Sequence, residues 1–313
     1  MSDATAATGG VPWWLWIVLT LVAAGAQTAR NATQKSLTVT LGTVGATLVR
    51  FFFGLPFAAV SLWAILGVTG QPAPPLTPAF VAWLAVGGLS QIGATALMLA
   101  AMKHRSFVVA TAYVKTEAVQ VALFGFIFLS ERLSAAATAA VVIATAGVLL
   151  MSWPRQAMRE TGFSWQPVAM GLASGALFAA SAVGFKGAIL ALGEVPAPSG
   201  SFVVDATMTL VCGLVFQTLV LTGWQLVRDR AVLVAMLRAW RQSLLAGFMG
   251  ALASQMWFLA FAIATTAHVR TLALVEILFA QAVSRRLFSQ RGTVLETLGV
   301  ALVVAGAILL VNG

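Results

Sequence analysis

Charged side chains are scarce in this sequence. Asp, Glu, Lys and Arg make up 9% of its 313 residues, whereas 60% are hydrophobic and the mean hydropathy is +0.96. A soluble domain carries roughly 25% charged residues. Because so few charges cannot cover a water-exposed surface, we expect lipid to surround most of the chain, and a soluble globular protein is excluded.

Residues for catalysis and metal binding are also few. The chain has one cysteine and two histidines. Cys212 lies within an apolar run, which excludes a disulfide framework and a thiolate metal site, and His104 and His268 stand alone at the edges of predicted spans. No glycine-rich loop for phosphate binding is present. We therefore predict no metal, no cofactor and no enzymatic activity.

The basic residues are distributed in a way that argues against nucleic acid as a partner. The net charge is +9, but Lys and Arg occur singly or in pairs between apolar stretches, as topology determinants do. The first eleven residues contain neither Lys nor Arg, so no secretory signal is predicted. We interpret the chain from Trp13 onward as a retained first helix.

Long apolar runs dominate the rest of the chain. A helix needs about 20 mostly apolar residues to cross ~30 Å of hydrocarbon, and alternating strands are not visible. The runs predict ten membrane-spanning helices, at Pro12–Ala29, Val39–Leu66, Ala79–Met102, Phe107–Leu129, Ala135–Trp153, Pro167–Leu192, Phe202–Leu221, Ser243–Thr265, Val269–Phe288 and Val294–Val311.

The two halves of the chain resemble each other. A shift of 159 residues places Glu117 on Glu276 and Arg132 on Arg291, and it also aligns Ala146-Gly147 with Ala305-Gly306. Because only nine residues are acidic, a glutamate match is unlikely to arise by chance. We predict a first repeat in residues 1–153 and a second in residues 154–313.

The number of helices in each half sets the predicted architecture. Five is odd, so the second half would enter the membrane in the opposite orientation. The predicted fold is thus an all-α membrane protein with ten transmembrane helices in two inverted five-helix repeats. Inverted repeats are typical of secondary transporters that bind substrate between their halves and work by alternating access.

Several motifs are similar to a known family. The segment from Val114-Lys115-Thr116-Glu117 to Leu129-Ser130-Glu131-Arg132, followed by an Ala/Val-rich helix, resembles the end of an EamA repeat of the drug/metabolite transporter (DMT) superfamily. The segment from Val275-Glu276 to Ala305-Gly306 resembles the second copy, and Val49-Arg50-Phe51-Phe52 its second helix. The resemblance implies a ten-helix carrier of amino acids, other metabolites or drugs.

The sequence departs from the family pattern at several positions. The family usually has proline after the glutamate of helices four and nine, whereas Ala118 and Ile277 stand here. The Gly-Glu before helix five is Ser130-Glu131 here, and Ser289-Gln290 in the second copy. The resemblance therefore does not choose the substrate.

Positive charges predict the orientation of the chain. Only Arg132 and Arg270 lie on the side that carries both termini. The opposite side carries Arg30, Lys35, Lys103, Arg105, Arg155, Arg159, Arg228, Arg230, Arg238, Arg241, Arg285, Arg286 and Arg291. This bias predicts both termini outside the cytoplasm, whereas the family usually has both inside.

Six ionisable residues fall inside predicted spans, where a charge costs roughly 3 kcal/mol. We interpret Lys115 and Lys186 mainly as structural or interfacial residues. Arg50 and Asp205 lie in corresponding helices two and seven, and a structural or gating pair is as good an explanation as substrate contact. The remaining two are Glu117 and Glu276.

Glu117 and Glu276 are the main candidates for a binding site. Tyr113 and Gln120, at i−4 and i+3 from Glu117, extend it into a polar stripe on a helix, and Lys115 is predicted to point elsewhere. A carboxylate in a low-dielectric site can exchange a proton near neutral pH. We hypothesise that at least one glutamate binds a coupling proton or a substrate ammonium; a purely structural role is the alternative.

Other candidates lie deep in predicted spans. Trp257 in helix eight, beside Gln255, is placed to stack on an apolar substrate, although packing or lipid contact would explain it equally. Gln91 in helix three is a weaker cavity candidate.

The function we expect is secondary transport of small metabolites. Export of neutral or aromatic amino acids is the preferred interpretation, and whether export is coupled to protons is left open. Efflux of drugs or cationic compounds is the competing interpretation, and a membrane enzyme or receptor is disfavoured. The expected partners are the lipid bilayer, a small-molecule substrate and protons. We expect a monomer or homodimer in a bacterial inner membrane.

Overall fold

The computed structural model describes residues 11–104, 113–151, 165–193, 202–279 and 294–312, and within these ranges it is all-helical. Eleven α-helices have their bounds there, together with one 3-10 turn, Ala273–Val275, and short helical segments at residues 113–114 and 276–279. The helices are α1 Leu15–Phe52, α2 Leu55–Thr69, α3 Pro78–His104, α4 Glu117–Leu129, α5 Ala135–Met151, α6 Trp165–Gly193, α7 Phe202–Arg228, α8 Arg230–Arg238, α9 Trp240–Ile263, α10 Thr266–Leu272 and α11 Val294–Asn312.

Within the described residues, five helical stretches are long and apolar enough to cross a membrane, which is typical of a membrane protein. They are Leu15–Thr69, Pro78–Met102, Val168–Gly193, Phe202–Arg228 and Trp240–Ile263. The first is long enough for two of the predicted spans. Three apolar helices are shorter, and parts of predicted spans four, five and nine lie outside the described residues.

The boundary predicted between the first two spans is wrong. Residues 30–38 were expected to form a loop, but α1 continues through them to Phe52. The chain bends instead at Gly42, whose φ of +66° lies in the left-handed region that glycine adopts readily. Arg30 therefore lies inside a helix with 1% of its surface exposed, so it does not contribute to a loop charge count.

The outer surface of the bundle is apolar. Val39, Trp63 and Leu219 are each more than two-thirds exposed. An exposed apolar surface spread over several helices is stable against lipid rather than water. The observed surface thus agrees with the composition.

Close helix contacts hold the bundle together. The most extensive ones join α3 to α6, α1 to α9, and α5 to α11. A Cβ atom on Gly184 would lie only 2.6 Å from the backbone nitrogen of Gly87, so α3 and α6 approach at small residues, as helices in membranes commonly do. Phe185 and Phe258 pack in the core with ring centroids 4.7 Å apart.

Candidate functional site

A buried carboxylate, Glu276, is contacted by three side chains from two distant segments of the chain. It accepts hydrogen bonds from Lys115 Nζ at 2.5 Å and Gln27 Nε2 at 2.9 Å, and from Asn31 Nδ2 at 3.3 Å. Glu276 is 1% exposed. A buried carboxylate is tolerated only when its charge is paired and its lone pairs are occupied, and these three donors provide both.

The second predicted glutamate is also in an ion pair. Arg270 Nε lies 3.0 Å from Glu117 Oε1, although the two groups are not aligned as a hydrogen bond. The Arg270 guanidinium also lies over the rings of Trp257 and Phe261, 4.7 and 5.3 Å from their centroids. Arg270, which was counted among the charges on the side of both termini, is 6% exposed, so it does not belong in that count.

Trp257 connects the two ion pairs. Its indole Nε1 donates to Gln27 Oε1 at 3.1 Å, and Gln27 in turn donates to Glu276. Because its ring lies against Arg270 and it is 3% exposed, Trp257 packs inside the cluster and does not face lipid.

Both glutamates stand immediately after a break in a helix. Residues 113–114 are helical, residues 115–116 form a turn, and α4 begins at Glu117. In the second half α10 passes into the 3-10 turn Ala273–Val275, and α-helix resumes at Glu276. A tight turn or 3-10 stretch inside a helix often marks a functional hinge or a strained sequence.

The structure places the predicted neighbours of Glu117 in different surroundings. Tyr113, predicted to share a polar stripe with Glu117, packs against α6 at Gly171. Lys115 was expected to point away, but it lines the same cavity as Glu117. Gln120 is half-buried and lies within 3.5 Å of Thr116 Oγ1.

A small cavity lies between the two ion pairs. The volume open to the centre of a water molecule is about 10 Å³, so the cavity has room for roughly one water molecule. Its lining combines polar groups with apolar side chains from both halves of the chain: Gln27, Arg30, Asn31, Met98, Val114, Lys115, Glu117, Phe178 and Arg270.

The other predicted candidates lie elsewhere. Arg50 donates to Thr95 Oγ1 at 3.1 Å and forms no ion pair with Asp205. Asp205 is 5% exposed, and no hydrogen bond reaches its Oδ1. The structure therefore does not support the predicted Arg50–Asp205 pair.

Two predicted glutamines hold helices to one another. Gln91 accepts from Gln217 at 2.9 Å, which joins α3 to α7, and Gln255 donates to Thr207 at 2.8 Å, which joins α9 to α7. Neither lines the cavity beside Glu117.

A second polar cluster involves α4, α6 and α10. Lys186 Nζ lies 3.0 Å from Glu131 Oε1 and donates to the carbonyl of Ala264 at 2.6 Å. The Glu131 carboxylate also accepts from the backbone N–H and the hydroxyl of Thr266 at the start of α10. This carboxylate caps α10 and forms a buried ion pair with Lys186, which was interpreted as structural or interfacial.

Sequence reasoning missed Gln27, Arg30 and Asn31 and underrated Lys115. The pattern that could have identified the first three is a set of polar residues three or four positions apart, which places them on one face of a helix: Gln27, Arg30, Asn31 and Gln34. A search for wholly apolar segments ends this helix too early, because it stops at these polar residues.

Comparison with family models finds no match. No curated protein matches the chain either. Among solved structures 28 chains match, including one described only as "Crystal structure of protein", which is 14% identical, covers 94% of both chains and has a TM-score of 0.63. At this identity the similarity shows a shared fold and nothing about function.

Proposed function

We propose that this protein is a secondary transporter of small metabolites, with ten spans in two inverted five-helix repeats, of the EamA type in the DMT superfamily. The observation that carries the proposal is the pair of helix breaks at Glu117 and Glu276. Positions that the 159-residue shift aligns interrupt the α-helix in both halves, as a turn at residues 115–116 and as a 3-10 turn at Ala273–Val275, and each interruption ends at a buried glutamate. Interrupted helices beside buried ionic groups characterise the binding sites of secondary transporters.

The packing of α5 against α11 supports the repeat. A Cβ on Gly147 would meet backbone atoms of residues 299 and 303, and a Cβ on Gly306 would meet those of residues 140 and 144. Residues 147 and 306, 140 and 299, and 144 and 303 each differ by 159 positions, which is the shift that aligns the two halves. Two helices that exchange equivalent contacts are what a two-fold axis between the repeats requires.

The helix pairs elsewhere support the same axis. Under the 159-residue shift, residues 15–34 of α1 correspond to residues 174–193 of α6, and residues 81–104 of α3 correspond to residues 240–263 of α9. The contact of this first part of α1 with α9 is therefore the counterpart of the contact of α6 with α3. The contacts of α1 with α9 and of α3 with α6 are two of the most extensive in the described chain.

The cavity between Lys115 and Arg270 is the proposed substrate pathway in a closed state. Both glutamates have internal cationic partners there, so a substrate or a proton that neutralises a carboxylate would release its cation and open the site. We propose export of neutral or aromatic amino acids first, with proton coupling through Glu117 or Glu276. Efflux of cationic compounds is the competing proposal, and catalysis is not part of either.

We further propose that the protein resides in a bacterial inner membrane as a monomer or homodimer, with both termini outside the cytoplasm. Arg30 and Arg270 no longer enter the charge count because both are buried. The bias that remains still favours this orientation.

Counterflow in proteoliposomes with an imposed pH gradient tests the proposal. Amino acids, cationic drugs and neutral metabolites are compared for wild type, Glu117→Gln, Glu276→Gln and the exposed control Asp229→Asn. We expect flux of at least one compound, lost or altered in its pH dependence in the glutamate variants and unchanged in the control. Well-expressed glutamate variants with normal flux and pH dependence would contradict the proposal.

A further inference from the structure

Two arginines are buried beside the cavity without carboxylate partners among the described residues. Arg30 is 1% and Arg50 2% exposed. Arg30 donates twice to Asn31 Oδ1, at 3.1 and 2.7 Å, and Arg50 donates once to Thr95 Oγ1. A guanidinium has five N–H donors, so neutral oxygens occupy only part of each.

The two arginines are neighbours. A Cβ on Gly250 would lie 3.3 Å from Arg30 Cδ and 3.5 Å from Arg50 Cβ, so α9 presents a glycine where both side chains pass. Arg30 lines the cavity. The charged groups that act most on Arg50 are Arg30 and Arg270, both cations.

Counting the charges leaves an excess of positive charge. Lys115 pairs with Glu276 and Arg270 with Glu117. Glu276 and Glu117 also attract Arg30, but neither Arg30 nor Arg50 has an ion pair of its own, so four cations face two carboxylates in the described part of the site. Buried like charges without counter-ions are strongly unfavourable. A chain retains such charges inside a membrane when they have a function.

The chemistry of the guanidinium indicates what the missing counter-charge is. Its planar set of donors matches carboxylate and phosphate oxygens, and these charge-assisted hydrogen bonds are about twice as strong as neutral ones. A cationic ligand would instead add to the repulsion between Arg30, Arg50 and Arg270.

We propose that the transported compound carries a carboxylate or phosphate group, which Arg30 binds directly while Arg50 behind it adds positive charge. The inference rests on the proposed transport function and names its substrate class. An amino acid satisfies it through its carboxylate, whereas a purely cationic drug does not.

Thermal unfolding of the purified full-length protein with four matched probes tests this inference. Benzoate and phenyl phosphate are anions, benzamide is neutral and benzylamine is a cation. We expect at least one of the anions to raise Tm by about 3 °C or more at saturation, and benzamide and benzylamine to leave it unchanged. No shift with either anion, or an equal shift with benzamide, would overturn the proposal.

Variants separate a ligand site from a structural role. Arg50→Met keeps the length of the side chain and removes a like charge from beside Arg30, so the ligand-free variant should melt no lower than wild type and should lose the anion-dependent shift. Arg30→Lys keeps the charge without the planar donors and should reduce that shift. The exposed control Arg241→Met should keep it. An Arg50→Met protein that melts lower yet keeps the full anion shift would overturn the proposal.

Flux measurements distinguish failure of this inference from failure of the transport function. If benzamide or benzylamine is transported faster than the anions, transport stands and the anionic substrate class is wrong. If an anion raises Tm but no compound is transported, the anion-binding proposal stands and the transport function is contradicted.

Discussion

Lys115 and Glu276 lie 161 positions apart in the chain, yet their charged atoms are 2.5 Å apart in a part of the molecule closed to solvent. Removing one partner of a buried pair typically costs about 3–5 kcal/mol, because the other charge is left without compensation. We therefore expect Glu276→Gln and Lys115→Met each to lower the free energy of unfolding by about that amount. The combined variant should be less destabilised than the sum of the two.

Unfolding in mixed micelles of increasing SDS content measures this double-mutant cycle. Asp229→Asn is the matched control, because Asp229 is exposed and caps α8 through an oxygen that Asn also has. Additive effects of the two single substitutions would show that the ion pair contributes nothing to stability.

The Glu131 carboxylate is expected to hold α10 against α6. Glu131→Gln removes the charge that pairs with Lys186 and weakens the hydrogen bonds from Thr266, so we expect a loss of about 1.5–3 kcal/mol in the free energy of unfolding. The neighbouring Arg132 is exposed, and Arg132→Gln should change it by less than about 0.5 kcal/mol. Equal effects of the two variants would show that the cluster is not important for stability.

The contact between α5 and α11 predicts equal sensitivity at equivalent glycines. A Cβ on Gly147 or Gly306 would lie within 2.7 Å of atoms of the facing helix. Alanine at either position should therefore destabilise the protein by about 1–3 kcal/mol. At Gly25 no atom of the described residues lies within 4 Å of an added Cβ, so alanine should be neutral or stabilise by up to about 1 kcal/mol.

Thermal unfolding of the three alanine variants compares these positions. Gly147→Ala and Gly306→Ala should give similar decreases in Tm. A large decrease in one without the other would contradict equivalent packing in the two proposed repeats.

The predicted orientation is accessible to cysteine labelling. In a Cys212→Ala background, an impermeant maleimide applied to intact cells should label Ser2→Cys and leave Arg238→Cys unlabelled, because positive charge favours the cytoplasm for residue 238. Labelling only at 238 would reverse the assignment and agree with the usual arrangement of the resembling family.

The sequence was sufficient for the helical class and for the burial of Glu117 and Glu276, since both follow from local composition. It was not sufficient for the course of α1. Arg30 and Asn31 end an apolar window, but the helix continues because the polar residues on its inner face meet groups up to 249 positions away, as Gln27 meets Glu276. Such partners are invisible to any local window.

The position of Lys115 could not be predicted for a different reason. Its direction was deduced from regular helical spacing relative to Glu117, and the turn at residues 115–116 interrupts that spacing. The side chain consequently reaches Glu276 in the other half of the chain. The equivalent break before Glu276 was hidden because its sequence, Ala273–Val275, contains neither glycine nor proline.

The central claim is that the cavity between the two ion pairs opens alternately to the two sides of the membrane. Met98 lines that cavity and is 2% exposed, so Met98→Cys in a Cys212→Ala background reports access to it. In proteoliposomes, an impermeant maleimide should label this cysteine when added on either side, at rates that change in Glu276→Gln. Labelling from neither side, or from one side alone whatever substrate or pH gradient is imposed, would contradict the account.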